Sequence, residues 1–139
     1  MSFEEKGTWV SVVVWAATSI VYAAIILGRA GPVAVEDVPY VATMLWAIGI
    51  GVGLTILGYF LAAATKPDEV DKPDVRDKEI RRFADYVGGV VFGAAMIGPF
   101  ALTLAGSDHF WIANTMFAAF MLGGLVGAVA KLVAYRRGI

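Results

Sequence analysis

The chain has 139 residues, of which 59% are hydrophobic and 17% are charged, and its formal net charge is −1. Soluble domains contain about 45–50% apolar residues, so a soluble globule of this composition would lack the polar surface to cover its helices. Cysteine is absent, which excludes disulfides, thiolate metal sites and a cysteine nucleophile. The composition therefore favours an integral membrane protein, and the length is that of one domain.

Four apolar segments follow one another along the chain. They cover residues 8–27, 40–64, 86–104 and 110–134, and a helix of that length crosses a hydrocarbon core of about 30 Å. The first three carry no charge inside, and the fourth carries only Lys131, which we expect to reach the nearer membrane surface. The sequence therefore predicts an all-α membrane protein, a single domain over residues 1–139 with four transmembrane helices and one long loop at 65–85.

The basic residues predict how this domain is oriented. Ten of the eleven Lys and Arg residues lie before the first segment, between the second and third, or at the end of the fourth, and Arg29 is the exception. Because Lys and Arg resist translocation, we expect the long loop and both termini in the cytoplasm. The expected location is the cytoplasmic membrane, which is the inner membrane of a bacterium.

The second and fourth segments begin alike. Residues 37–42 and residues 108–113 each consist of an acidic residue followed by aromatic and small apolar residues. A duplicated helical hairpin, with its two copies parallel, and a chance match of membrane composition are both open. We expect Asp37 and Asp108 to cap the helices that follow them. Asp108 and His109 are also weak candidates for a metal site, but one histidine with scattered carboxylates favours capping and solvation.

Glycine recurs at a spacing of four residues in the last three segments. In lipid, glycine at positions i and i+4 forms a groove in which two helix backbones approach closely. We expect these pairs to line contacts between helices of one chain, with a homodimer contact as the alternative. The pairs are Gly49 and Gly53, Gly89 and Gly93, and Gly123 and Gly127.

Proline and hydroxyl residues add two expectations. Gly98-Pro99 predicts a kink in the outer half of the third helix, because proline lacks an N–H and clashes with the preceding turn. A polar face on the first helix, together with polar residues on the fourth, favours hydrogen bonds between helices, and the alternative is the lining of a pore. The polar residues that could line such a pore are Ser11, Thr18, Asn114 and Thr115.

The end of the long loop is amphipathic. Apolar residues follow helical spacing on one side of residues 74–85, and basic residues occupy the other side. We expect a short interfacial helix that precedes helix three, with Ile80 and Phe83 in the acyl boundary and the basic residues at anionic headgroups. The alternative is that this helix docks a cytoplasmic protein partner.

Residues 74–82 read Asp-Val-Arg-Asp-Lys-Glu-Ile-Arg-Arg. This stretch resembles the D-x-R-D-x-x-I-x-R element in a group of small prokaryotic four-helix membrane proteins of unknown function, where the element also precedes helix three. The resemblance implies no catalytic residues. It implies interaction residues at Arg76, Asp77, Ile80, Arg81 and Arg82.

The sequence thus favours a non-enzymatic membrane protein over an enzyme. No Ser-His-Asp set, phosphate-binding loop, dinucleotide fingerprint or zinc-hydrolase motif occurs, so we expect no catalytic residue and no cofactor. We expect an accessory or regulatory component whose cytoplasmic loop contacts lipid headgroups or a protein partner, without direct binding of nucleic acid. The alternative function is a small oligomeric transporter or pore.

Overall fold

The computed structural model describes residues 3–65 and 74–138 of the chain. This part contains no strand, and its elements are α1 (Phe3–Arg29), a 3-10 turn (Val35–Asp37), α2 (Val41–Thr65), α3 (Val75–Ala95), α4 (Ile97–Leu104) and α5 (His109–Arg137). α3 and α4 together form one span, so four helical spans are long and apolar enough to cross a membrane. The predicted all-α fold class is confirmed. Residues 66–73 of the predicted loop lie outside the described residues.

The break between α3 and α4 lies three residues before Pro99. Proline has no N–H to donate to the carbonyl group four residues earlier, and its ring crowds that carbonyl group. The helix therefore ends at Ala95, and the Met96 N–H donates to the Phe92 carbonyl at 2.9 Å before a new helix begins. Pro99 itself is buried. The helix is thus interrupted where Gly98-Pro99 predicts a kink.

The helices pack in the order α2, α1, α5, α3. α1 packs on both α2 and α5, while α5 packs on α1, α3 and α4. The start of α1 lies beside the end of α2, where the Lys6 ammonium donates to the Thr65 hydroxyl at 3.1 Å. The end of α5 lies beside the start of α3, where the Tyr135 hydroxyl donates to the Asp77 carboxylate at 2.7 Å. These four termini form one end of the molecule, which we call the basic end.

An apolar core closes the opposite end. Tyr22, Ile26, Val38 and Phe110 are buried together there, contributed by α1, the segment before α2, and α5. The Tyr22 hydroxyl donates to the Asn114 side-chain oxygen at 2.6 Å, which joins α1 to α5 inside the apolar region. The interhelical hydrogen bond expected for the polar residues therefore forms at this pair.

The two expected aspartate caps do not form. Asp37 belongs to the 3-10 turn, and α2 begins only at Val41, because the chain between them buries Val38 in the core. Asp108 does hold the position before α5, but its side chain makes no capping hydrogen bond. The prediction that both carboxylates cap helices is wrong.

The segment predicted as an interfacial helix running into helix three is the beginning of α3. The Asp74 carboxylate accepts from the Val75 N–H at 2.7 Å, and the helix runs from Val75 to Ala95 without a break. Ile80 is only 3% exposed, because α5 continues to Arg137 and covers this face of α3 with protein. The prediction that Ile80 enters the acyl boundary is therefore wrong, whereas half of Phe83 is exposed.

Candidate functional site

The backbones of α3 and α5 approach each other closely at glycine residues. A Cβ atom added to Gly88 would lie 2.8 Å from the Gly123 carbonyl oxygen and 3.2 Å from the Gly127 Cα atom. The two backbones therefore touch, which only glycine permits at these positions. The residues that form this contact recur every four positions on each helix: Ala84, Gly88 and Phe92 on α3, and Gly123 and Gly127 on α5.

The six predicted packing glycines fall into two groups, those in a helix contact and those in open space. Gly123 and Gly127 lie in the contact with α3, but Gly49, Gly53, Gly89 and Gly93 have no atom within 4 Å of an added Cβ. The interpretation of these four as contacts within one chain is wrong, because none of them lies against a neighbouring helix. The homodimer alternative for them stays a prediction.

Other glycines lie under large side chains of a neighbouring helix. The Trp15 ring of α1 covers Gly51 of α2, and the Tyr59 ring of α2 covers Gly7 of α1. These glycines, like Gly88, were not among the predicted pairs. Each of these two glycines faces a large aromatic residue on the neighbouring helix. Such a pair can be recognised in the sequence only when it is known which helices are neighbours.

An ion pair joins α1 to α5 near the basic end. The Lys131 ammonium lies 2.5 Å from a carboxylate oxygen of Glu4, and Lys131 is 9% exposed. Lys131 therefore reaches the first turn of α1 at the basic end, and the expectation that it extends to the membrane surface stays a prediction. A buried ammonium needs such a partner, since an unpaired charge is costly away from water.

An open cleft lies beside this ion pair, between α1 and α3 and over α5. It has a volume of about 670 Å³, and Tyr59 of α2 is at its edge. Charged side chains line it near the basic end, and glycines of α3 and α5 line its floor. Two phenylalanines lie at its far end, Phe92 and Phe120, with ring centroids 4.8 Å apart. The cleft thus combines a charged mouth with an apolar interior.

The five predicted interaction residues do not form one surface. Arg76, Arg81 and Arg82 are exposed, and Arg81 lines the cleft. Asp77 accepts a hydrogen bond from Tyr135, and Ile80 is buried against α5. Asp77 and Ile80 therefore hold α3 to α5, and only the arginines are available for contacts outside the chain.

The polar residues considered as a pore lining already have partners within the chain. The Ser11, Thr18 and Thr115 hydroxyls donate to backbone carbonyl groups of their own helices at 3.1, 2.9 and 2.6 Å. Asn114 accepts from Tyr22, as described above.

The metal candidates stand at the start of α5. Among residues 3–65 and 74–138, no three His, Cys, Asp or Glu side chains come together as a metal site would require. Asp108 precedes α5 and His109 is its first residue, at the opposite end from the cleft.

Comparisons of the chain with models of protein families, with curated proteins and with solved structures find no match. The resemblance of residues 74–82 to an element of small membrane proteins stays a prediction. The function is therefore argued from the structure alone.

Proposed function

We propose that the protein is a non-enzymatic accessory or regulatory component of the cytoplasmic membrane, whose basic end lies in the cytoplasm and contacts anionic lipid headgroups. The observation that carries the proposal is a group of five exposed basic side chains at the start of α3 and the end of α5, which we call the basic surface. Each basic residue near an anionic membrane contributes about 1 kcal/mol. The basic surface consists of Arg76, Lys78, Arg82, Arg136 and Arg137.

Contacts between α3 and α5 support a fixed basic surface. The bond from Tyr135 to Asp77 ties the two helices together among these residues. Arg136 also lies against α1, with its guanidinium carbon 5.8 Å from the centre of the Trp9 ring. Because Ile80 is buried in the protein, the basic surface would meet the membrane through charge rather than through an inserted apolar face.

The positions of the basic residues also support the orientation. A reporter fused after Ile139 should report the cytoplasm, and a reporter inserted between Val33 and Val35 should report the exterior. Reporters that both face the same side would contradict the arrangement of four spans.

Lipid enrichment tests the contact with headgroups. The protein is reconstituted with a mixture of anionic and zwitterionic lipid, and the lipid that co-purifies with it is quantified at rising salt. Replacing Arg76, Lys78 and Arg82 with Gln should lower the anionic enrichment, and salt should lower it for the unmodified protein, because about 0.1 M salt screens charges beyond about 10 Å. Arg29→Gln, at the opposite end, is the matched control. Equal enrichment in the triple variant and the control would overturn the proposal.

The basic surface could instead bind a protein partner. Cross-linking followed by a pull-down with the same triple variant separates the two cases. Loss of one cross-linked protein with unchanged lipid enrichment would replace the lipid proposal by a docking role. Asp77 is left intact in this test because its bond to Tyr135 is structural.

A small oligomeric transporter or pore takes second place. Its four lining candidates already bond within the chain, so a pathway would have to form between copies. Flux of protons, cations or small cationic compounds through liposomes containing the purified protein would favour this alternative.

A further inference from the structure

The cleft between α1 and α3 has the dimensions of a ligand site. Its volume of about 670 Å³ falls within the range of about 300–1,000 Å³ that is usual for small-molecule sites. Glycines leave its floor free of side chains, and two of them, Gly89 and Gly124, have no atom within 4 Å of an added Cβ. The space is therefore available without any rearrangement of the helices.

The length of the cleft matches one leaflet of a bilayer. Arg81 at the mouth and Phe92 at the far end are eleven residues apart on α3, and Lys131 and Phe120 are eleven residues apart on α5. At a rise of about 1.5 Å per residue this distance is about 16 Å. Half of a hydrocarbon core of about 30 Å is about 15 Å. The cleft is therefore about as long as the hydrocarbon layer of one leaflet is thick.

The mouth of the cleft offers one cation and one anion. Glu4 and Lys131 pair with each other. Arg81 and Asp85, one helical turn apart on α3, also line the cleft, and among the residues that the structure describes neither takes part in an ion pair. A ligand that carries both signs of charge about one turn apart would complement them.

We propose that the cleft binds one phospholipid with a phosphoethanolamine headgroup, taken from the leaflet at the basic end. Its phosphate pairs with Arg81, whose long side chain lets the guanidinium reach the level of Asp85. Its ammonium lies beside the phosphate at that level and donates hydrogen bonds to Asp85, and an acyl chain follows the glycine floor to Phe92 and Phe120. A phosphoglycerol headgroup would leave Asp85 without a cation. The trimethylammonium of phosphocholine has no N–H to donate, so it cannot form the stronger, charge-assisted hydrogen bond.

Native mass spectrometry of the full chain in detergent tests the headgroup. The protein is offered an equimolar mixture of phosphatidylethanolamine, phosphatidylcholine and phosphatidylglycerol with identical acyl chains. We expect phosphatidylethanolamine to be retained about tenfold over phosphatidylcholine, as one hydrogen bond to a charged group allows. Asp85→Asn should abolish this preference, and Arg81→Gln should weaken retention of all three lipids. Retention without a preference for phosphatidylethanolamine would overturn the proposal.

Neighbouring charges on α3 are the matched controls for the headgroup. Glu79→Gln and Arg82→Gln change exposed side chains that do not line the cleft, so both variants should retain phosphatidylethanolamine as before. The triple variant of the basic surface should also retain it. The cleft proposal and the proposed function can therefore fail independently.

Substitutions at two glycines one turn apart test where the acyl chain lies. Gly89 and Gly93 both have open space around them, but only Gly89 lines the cleft. Gly89→Leu should lower retention of phosphatidylethanolamine about tenfold, because filling the floor displaces about two methylene groups of the acyl chain from it. Gly93→Leu should leave retention unchanged, and thermal unfolding should show both variants to be folded.

Equal effects of Gly89→Leu and Gly93→Leu would overturn the placement of the acyl chain. The last measurement is the binding of a headgroup without acyl chains. If glycerophosphoethanolamine, which has no acyl chains, bound as tightly as the intact phospholipid, the occupant would be a soluble zwitterion and the lipid proposal would be wrong.

Discussion

The contact between α3 and α5 and the contact between α1 and α2 both depend on glycine, but in different ways. Between α3 and α5 the backbones themselves touch, and an added Cβ on Gly88 would meet the Gly123 carbonyl oxygen at 2.8 Å. A backbone atom in a helix cannot move without moving the whole helix. This contact therefore has no tolerance for a side chain.

Between α1 and α2 the glycines accept side chains instead. An added Cβ on Gly51 would meet the Trp15 ring at 2.7 Å, and one on Gly58 would overlap a methyl group of Val10. A side chain can change its rotamer or be shortened by mutation. The comparison teaches that the neighbour of a glycine, rather than the glycine itself, decides how much a substitution costs.

The largest expected effect is at the backbone contact. Gly88→Leu should lower the free energy of unfolding by about 3 kcal/mol, at the upper end of the usual cost of overpacking, because α3 and α5 must separate. Gly93→Leu, five residues further along α3 and in open space, should change it little. Unfolding of both variants in the same detergent measures the difference, and equal stabilities would refute the backbone contact.

A smaller effect, with a rescue, is expected between α1 and α2. Gly58→Ala should cost about 1.5 kcal/mol through overlap with Val10, even though alanine is intrinsically the better helix former. Adding Val10→Ala removes the overlapping methyl groups and should restore most of this loss. A double-mutant cycle measures the coupling. Additive losses would show that the side chain of Val10 does not occupy the space beside Gly58.

The smallest expected losses of stability come from removing hydrogen bonds at the basic end. Tyr135→Phe should cost about 1 kcal/mol, because the partly buried bond from its hydroxyl to Asp77 is lost. Thr65→Val removes the exposed bond from Lys6 and the bond from the Thr65 hydroxyl to the Ala62 carbonyl of the same helix. It should cost a few tenths of a kcal/mol, because an exposed contact contributes little and a hydroxyl bonded to its own helix hardly stabilises it. Thermal unfolding of the two variants ranks them, and a larger loss for Thr65→Val would reverse the comparison.

The predicted spans agree with the structure because they depend on local properties. Apolar segments bounded by charges predicted four spans, and each described helix begins or ends within a few residues of the prediction except at the start of α3. There the residues from Asp74 onward were predicted as an amphipathic helix that lies at the interface and runs into helix three. The helix is indeed continuous, but the prediction for Ile80 was wrong, because Ile80 is buried in the protein, whereas half of Phe83 is exposed.

The candidate site was predicted only in part. The arginines of residues 74–82 were recognised, but the cleft was not, since it combines Glu4 of α1 with Arg81 of α3 and Lys131 of α5. Residues so distant in sequence share no spacing pattern. Their proximity follows from which helices are neighbours, and no periodicity along one segment encodes that.

The sequence by itself determined the helical class, the number of spans and the break before Pro99, because chain length, apolarity and the missing proline N–H act within a single segment. Tertiary structure alone decided which face of each helix is covered. Glycines at the same spacing of four lie against a backbone at Gly123 and Gly127 and in open space at Gly49 and Gly53. The physical reason is that the rotation of a helix about its own axis is set by the neighbour against which it packs.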